Sequence, residues 1–78
     1  MITVKLFGLL RLDTGLRELQ VEAANIRQLK QAVLRATDRI SKETLRGCVI
    51  LVNGTPCKSW KKLKDGDQVT LMPPVAGG

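Results

Sequence analysis

The chain has 78 residues, 44% of them hydrophobic, and sets thirteen Lys and Arg against seven Asp and Glu for a net charge of +6. That length fits one domain, and its core must be aliphatic, because Phe7 and Trp60 are the only aromatic residues. Histidine is absent, which removes the commonest general base and the commonest metal ligand together and argues against a self-contained hydrolase or a bound metal.

Ile2, Val4 and Leu6 alternate with Thr3, Lys5 and Phe7, the period-two pattern of a half-buried strand. Residues 8–15 then read as a glycine-bounded loop, with Asp13-Thr14-Gly15 as its turn. Leu19 and Val21, set against Glu18, Gln20 and Glu22, make a second alternating run that should pair with the first as a hairpin. No stretch is apolar for long enough to span a membrane or form a signal h-region, so a cytoplasmic protein without membrane contact is expected.

Asn25 fits an N-cap, with Gln28 three residues on to complete a capping box. From there Ile26, Leu29, Val33, Ala36 and Ile40 recur at helical spacing while Arg27, Lys30, Gln31, Arg35 and Asp38 turn outward, which predicts one amphipathic helix ending near Thr37. Residues 41–47 read as a connection with room for a short extra turn. Cys48-Val49-Ile50-Leu51-Val52 is apolar on both faces, as a central strand or one with an interaction face would be. Asn53-Gly54 closes it with a strong hairpin signal, and Pro56 restricts the next strand to a short edge piece. After the Asp65-Gly66-Asp67 turn, Gln68-Val69-Thr70-Leu71-Met72 forms the last strand.

These elements predict an α+β fold, a mixed sheet with one main helix packed on one face. Residues 1–72 form the domain and residues 73–78 an extended tail. On the helix side lie Ile2, Val4, Leu6, Leu19, Val21, Ile50, Val52, Val69 and Leu71, because side chains alternate along each strand. The other side receives Lys5, Phe7, Val49, Leu51, Thr70 and Met72. No second layer is left to cover it, so Phe7, Leu51 and Met72 form a candidate partner patch. Cys48 and Cys57 do not share a Cys-x-x-Cys spacing and are expected to be reduced and structural. Lys58, Lys61, Lys62 and Lys64 gather around Trp60. The cluster is compatible with a solvated edge, with docking on an acidic protein surface or with nucleic acid. The scarcity of aromatics argues against the last.

The chain closes on Pro73-Pro74-Val75-Ala76-Gly77-Gly78. Pro73 and Pro74 end the ladder and favour an extended path, while two glycines allow the walls of another protein's active site to approach the backbone closely. Gly78 is the candidate reactive position. Gly77, Ala76, Val75, Pro74 and Pro73 are candidates for insertion, and no residue is assigned a catalytic role.

Leu63-Lys64-Asp65-Gly66-Asp67-Gln68-Val69 followed by that ending, together with Val4-Lys5-Leu6-Phe7-Gly8, Arg11 and Val52-Asn53-Gly54, resembles the MoaD/ThiS family of ubiquitin-like sulfur carriers over nearly the whole chain. The double proline is similar to the molybdopterin synthase small subunits more than to the thiamin-pathway carriers. Leu12 departs from the pattern, since members commonly have glutamate just after the arginine. The resemblance implies a β-grasp fold and a protein that is a cosubstrate instead of an enzyme. It also implies that Gly78 is adenylated by an E1-like enzyme of the MoaB/MoeB/ThiF type, with ATP consumed by that partner and no cofactor bound here. Sulfur would then leave a thiocarboxylate on Gly78, to be donated to a MoaE-type large subunit of molybdopterin synthase. A thiamin-pathway or other sulfur carrier, a ubiquitin-like protein modifier and a purely structural module remain open alternatives.

Overall fold

Alternation along the first strand is realised in β1 (Ile2–Leu6), where Ile2, Val4 and Leu6 are buried and Thr3 and Lys5 half-buried. The computed structural model describes residues 1–58 and 60–73. Residues 8–15 are not the loop expected from their glycines: six of them form the helix α1 (Leu9–Thr14). The two glycines that resemble loop punctuation act as its caps. Gly15, at φ 72°, ends the helix in the left-handed region and donates its N–H to the Arg11 carbonyl at 2.9 Å. Leu10 is buried and anchors α1 to the core. A helical connection therefore joins β1 to β2 (Glu18–Val21), and the two strands pair antiparallel with Ile2 opposite Val21 and Lys5 opposite Glu18.

The main helix α2 (Ile26–Ala36) starts as its capping residues predict. The Asn25 side chain accepts from the Gln28 N–H at 2.8 Å. The Gln28 side chain turns back to accept from the Ala24 N–H, also at 2.8 Å, one residue before the cap itself. Ile26, Leu29 and Val33 are wholly buried. Ala36 is exposed, because the last turn has already left the sheet, and Ile40 reaches the core from the connection beyond the helix. A second short helix, α3 (Lys42–Gly47), occupies the predicted connection, with Ser41 accepting from the Thr44 N–H and Leu45 buried.

β3 (Val49–Val52), β4 (Thr55–Pro56) and β5 (Gln68–Met72) complete a five-stranded sheet in the order β2-β1-β5-β3-β4. Asn53 and Gly54 make the turn between β3 and β4 with φ of 50° and 85°, the double positive φ of a tight hairpin. Pro56 sits on the edge strand, where a missing N–H costs no ladder bond. β5 lies at the centre, parallel to β1 (Val4 beside Val69, Leu6 beside Leu71) and antiparallel to β3 (Ile50 opposite Leu71, Val52 opposite Val69). Val4, Leu6, Val69 and Leu71 are therefore covered by α2 and almost fully excluded from water. Leu19 and Ile50 share their face but are only half-buried, since they stand towards the two margins of the sheet. This is the β-grasp arrangement that the resemblance implies. Among the described residues no helix is long and apolar enough to cross a membrane.

Candidate functional site

Because β5 runs parallel to β1 and antiparallel to β3, the end of β5, the end of β1 and the start of β3 arrive at one edge of the molecule. Met72 lies opposite Val49, and the Phe7 N–H donates to the Leu71 carbonyl at 3.2 Å, which extends the β1–β5 pairing by one residue. α1 begins immediately after. The tail therefore leaves the domain from its central strand, between two other chain segments.

Gly8 fixes the direction of that exit. Its φ of 58° with ψ of −134° lies outside the regions open to an L side chain, and a Cβ built on it would lie 3.0 Å from Pro73 Cγ and 3.4 Å from Cδ. Glycine is required here twice, once for the backbone and once for the ring packed against it. Pro73 is accordingly half-buried.

Around this root the surface is apolar. Phe7, Val49 and Met72 are 44%, 50% and 42% exposed and fall in one row across three neighbouring strands. Leu51 lies one row further from the tail, beside Thr70, and is half-buried. α1 adds Leu9 and Leu12, at 63% and 77% the most exposed leucines of the patch. The loop expected of residues 8–15 has no place for these two on a surface patch. The available signal was the run Leu9-Leu10-Arg11-Leu12, good helix formers between two glycines in cap positions, with only the middle leucine needed by the core.

Neither thiol is activated as a nucleophile. Burial pushes Cys48 and Cys57 above the ordinary thiol value, against the opposing pull of Lys30 on both and of Lys61 on Cys57. Their thiols donate to the Thr44 and Ile50 carbonyls, at 3.1 and 3.7 Å. Protonated and hydrogen-bonded, they are weak nucleophiles at neutral pH. No cluster of three potential metal ligands occurs among the described residues. Of the tail positions, Pro73 is placed as stated, whereas Pro74, Val75, Ala76, Gly77 and Gly78 lie outside the described residues.

A protein-family model described as the ThiS family matches residues 4–78. Among solved structures, the complex of subunits 1 and 2 of molybdopterin-converting factor from Helicobacter pylori contains a chain 31% identical to this one. That match covers 99% of this chain and 97% of that chain at a TM-score of 0.71. The BexX/CysO complex of Amycolatopsis orientalis gives 27% identity over 100% of both chains and a TM-score of 0.78. SAMP1 of Haloferax volcanii, 24% identical with coverage of 99% and 98%, supports the fold with a TM-score of 0.87. No curated protein matches at a significant level.

Proposed function

Because the chain belongs to the ThiS family, whose members are small non-catalytic proteins of the sulfur-carrier and ubiquitin-like type, we propose that it carries sulfur on Gly78 as a thiocarboxylate for molybdopterin formation. The observation that supports this most is the root of the tail: the central strand delivers Pro73 past Gly8 into the middle of an exposed apolar patch. A partner that grips Phe7, Met72 and Val49 would thereby receive the following residues in its own active site. The double proline and the likeness to the Helicobacter molybdopterin-converting factor complex favour molybdopterin over other destinations for the sulfur.

The chemistry follows from the inertness of a carboxylate. An α-carboxyl group, with a pKa of about 3.3–3.7, is ionised at cellular pH and is a poor electrophile. In the proposed cycle an E1-like partner uses ATP to convert it to an acyl-adenylate, a carboxylate oxygen attacking the α-phosphorus and pyrophosphate leaving. A hydrosulfide equivalent then attacks the carbonyl carbon, the bond to AMP breaks, and a thiocarboxylate remains. On the large subunit of the synthase the sulfur forms a bond to the pterin substrate, and water then cleaves the acyl–sulfur bond, which leaves the sulfur on the substrate and returns the carboxylate. In this cycle Gly77 gives clearance, Val75 and Ala76 are small apolar anchors, and Pro73 and Pro74 limit the ordering entropy of insertion.

Incubation with ATP, a matching adenylating enzyme and a sulfide source should add the mass of one oxygen-to-sulfur exchange to the C-terminal peptide. Deleting Gly78, or appending one residue, should abolish the gain in a protein that still melts normally. Loading of the extended chain would refute the proposal, and lysine conjugates in place of a thiocarboxylate would make the protein a modifier.

A further inference from the structure

The net positive charge is not spread over the molecule. At the start of β5, far from the tail root, an open pocket of about 420 Å³ beside the β3–β4 turn is lined by Lys58, Lys61, Lys62 and Lys64 together with Trp60. A second, of about 230 Å³ between α2 and α3, is lined by Arg27, Lys30, Lys42 and Arg46. Eight of the thirteen cations stand in these two pockets and only one of the seven carboxylates, Asp67. The rest of the chain holds five cations and six carboxylates and is close to neutral.

The two pockets are stitched together by the backbone. The Ile26 N–H donates to the Lys61 carbonyl at 3.1 Å, the Leu63 N–H to the Ala24 carbonyl at 2.8 Å, and Asn25 forms a β-bridge with Lys62. The lysine segment is thus pinned to the first turn of α2, from which Arg27 and Lys30 project. Lys30 and Lys61 both act on the Cys57 thiol, which lines the first pocket, so their fields overlap there. The one carboxylate in the band, Asp67, accepts from the Lys64 N–H at 2.8 Å and from Asn53 Nδ2 at 3.1 Å, and its charge offsets only part of the field of Lys64 and Lys61. Among the described residues none of the eight cations is in a salt bridge.

Trp60 stands in this band 71% exposed, with Lys58 Nζ 5.7 Å from its ring centroid. It is separated from the other large exposed apolar side chains around the tail, Phe7, Leu9, Leu12, Val49 and Met72. An acidic protein partner would make use of a mixed apolar and polar patch. An isolated aromatic plane amid lysines is instead the surface that a stacked base and its flanking phosphates require. From this arrangement we infer that the basic band binds single-stranded nucleic acid, with a base stacked on Trp60 and the phosphate backbone following Lys58, Lys61 and Lys62 towards Arg27 and Lys30. Although aromatics are few, one exposed plane on a cationic track suffices for a short site. The inference concerns a surface at the opposite end of β5 from the tail and does not depend on sulfur loading.

Trp60 is the sole tryptophan, so its fluorescence reports on the site directly. Titration of the full chain with a labelled 12-nucleotide oligouridylate in low salt should quench Trp60 and raise the label's anisotropy. The logarithm of the affinity should fall against that of the salt concentration with a slope of about −0.7 per phosphate engaged, near −3 for four contacts. Trp60→Leu should lose about tenfold in affinity with an unchanged salt slope, and Lys61→Gln with Lys62→Gln should reduce the slope by about 1.4. Removing the same charge outside the band, with Arg35→Gln and Arg39→Gln, should cost less than twofold. Equal losses from that control pair, absence of quenching, or equally tight binding of a polyglutamate peptide of the same length would each overturn the inference, the last in favour of an acidic protein segment.

Discussion

β5 has an apolar end and a charged end. Where it finishes, Phe7, Met72, Val49, Leu9 and Leu12 are open to solvent around Pro73. Where it begins, Lys58, Lys61, Lys62 and Lys64 surround Trp60, and the neighbouring carboxylate is engaged internally. Apolar side chains hold a partner through buried area and act mainly on its dissociation, whereas scattered cations act through a long-range field that salt screens. One short chain thus keeps a surface suited to a tight grip apart from a surface suited to capture, about one strand length away.

The sharpest test of that division is a charge placed at the apolar end. Phe7→Glu or Met72→Glu should weaken binding to the adenylating enzyme and to the large synthase subunit by about thirtyfold or more, the ~2 kcal/mol of a central interface residue. The melting temperature should stay within about 4 °C, as for other surface changes. Lys62→Glu at the other end should alter the same affinities by less than threefold. Calorimetric titration of both variants would break the comparison if the lysine change matters more.

Gly8 connects the apolar end to the fold. Gly8→Ala must accept a positive φ and displace Pro73, so it should cost about 1–3 kcal/mol in urea unfolding. It should also slow sulfur loading in the molecules that remain folded, because the root of the tail has moved. A variant with normal stability would mean that the φ and the contact are not held together in solution.

Cys57 lies at the charged end and Cys48 beside the apolar one. If neither end works through a thiol, the double change Cys48→Ala with Cys57→Ala should load sulfur at the parental rate, with a stability cost of about 1 kcal/mol for the lost packing. Loss of loading in the folded double variant would transfer the chemistry to a thiol.

The smallest effect expected belongs to Asp67. Hydrogen bonds from the Lys64 backbone and the Asn53 side chain hold its carboxyl below the ordinary carboxylate value. A carboxylate depressed on folding stabilises the protein above its unfolded pKa, and this contribution is lost as pH falls through the folded value. Stability should therefore decline from the ordinary aspartate range downward, and Asp67→Asn should lose this small contribution at neutral pH and flatten that part of the acid limb, so that the two proteins converge at low pH. Urea midpoints at several acid pH values would show whether the slope survives the substitution.

Much of this architecture could be read from the residues, for local reasons. Ile2, Val4 and Leu6 alternate because a sheet face is buried, Asn25 caps because its side chain replaces a missing acceptor, and Asn53-Gly54 turns because both positions need positive φ. The misreading of residues 8–15 has an equally local cause: Gly8 and Gly15 are needed for left-handed φ whether the chain makes a loop or caps a helix, and only the burial of Leu10 decides between them. Strand parity places Phe7 and Met72 on the uncovered face, where both are exposed, but it says nothing of Leu9 and Leu12, which depend on the helix α1. The continuity of the basic band was not legible at all. It depends on the Asn25–Lys62 bridge, a contact between residues 37 positions apart that no short-range pattern encodes.

The pairing of β5 between β1 and β3 also bears on how the molecule is made. The first strand of the chain has no partner on that side until the last one is available, so non-local closure dominates assembly and slows it relative to a helical protein of this size. A nascent chain interrupted before Gln68 holds two ribbons, β1 with β2 and β3 with β4, without the strand that joins them into one sheet. Any molecule that presents the finished sheet to a partner has thereby been synthesised through Met72, to the threshold of its tail. Folding and chain length are thus coupled as far as Met72: a fragment that stops before β5 also lacks the joined sheet and the row of Phe7, Met72 and Val49 that it exposes.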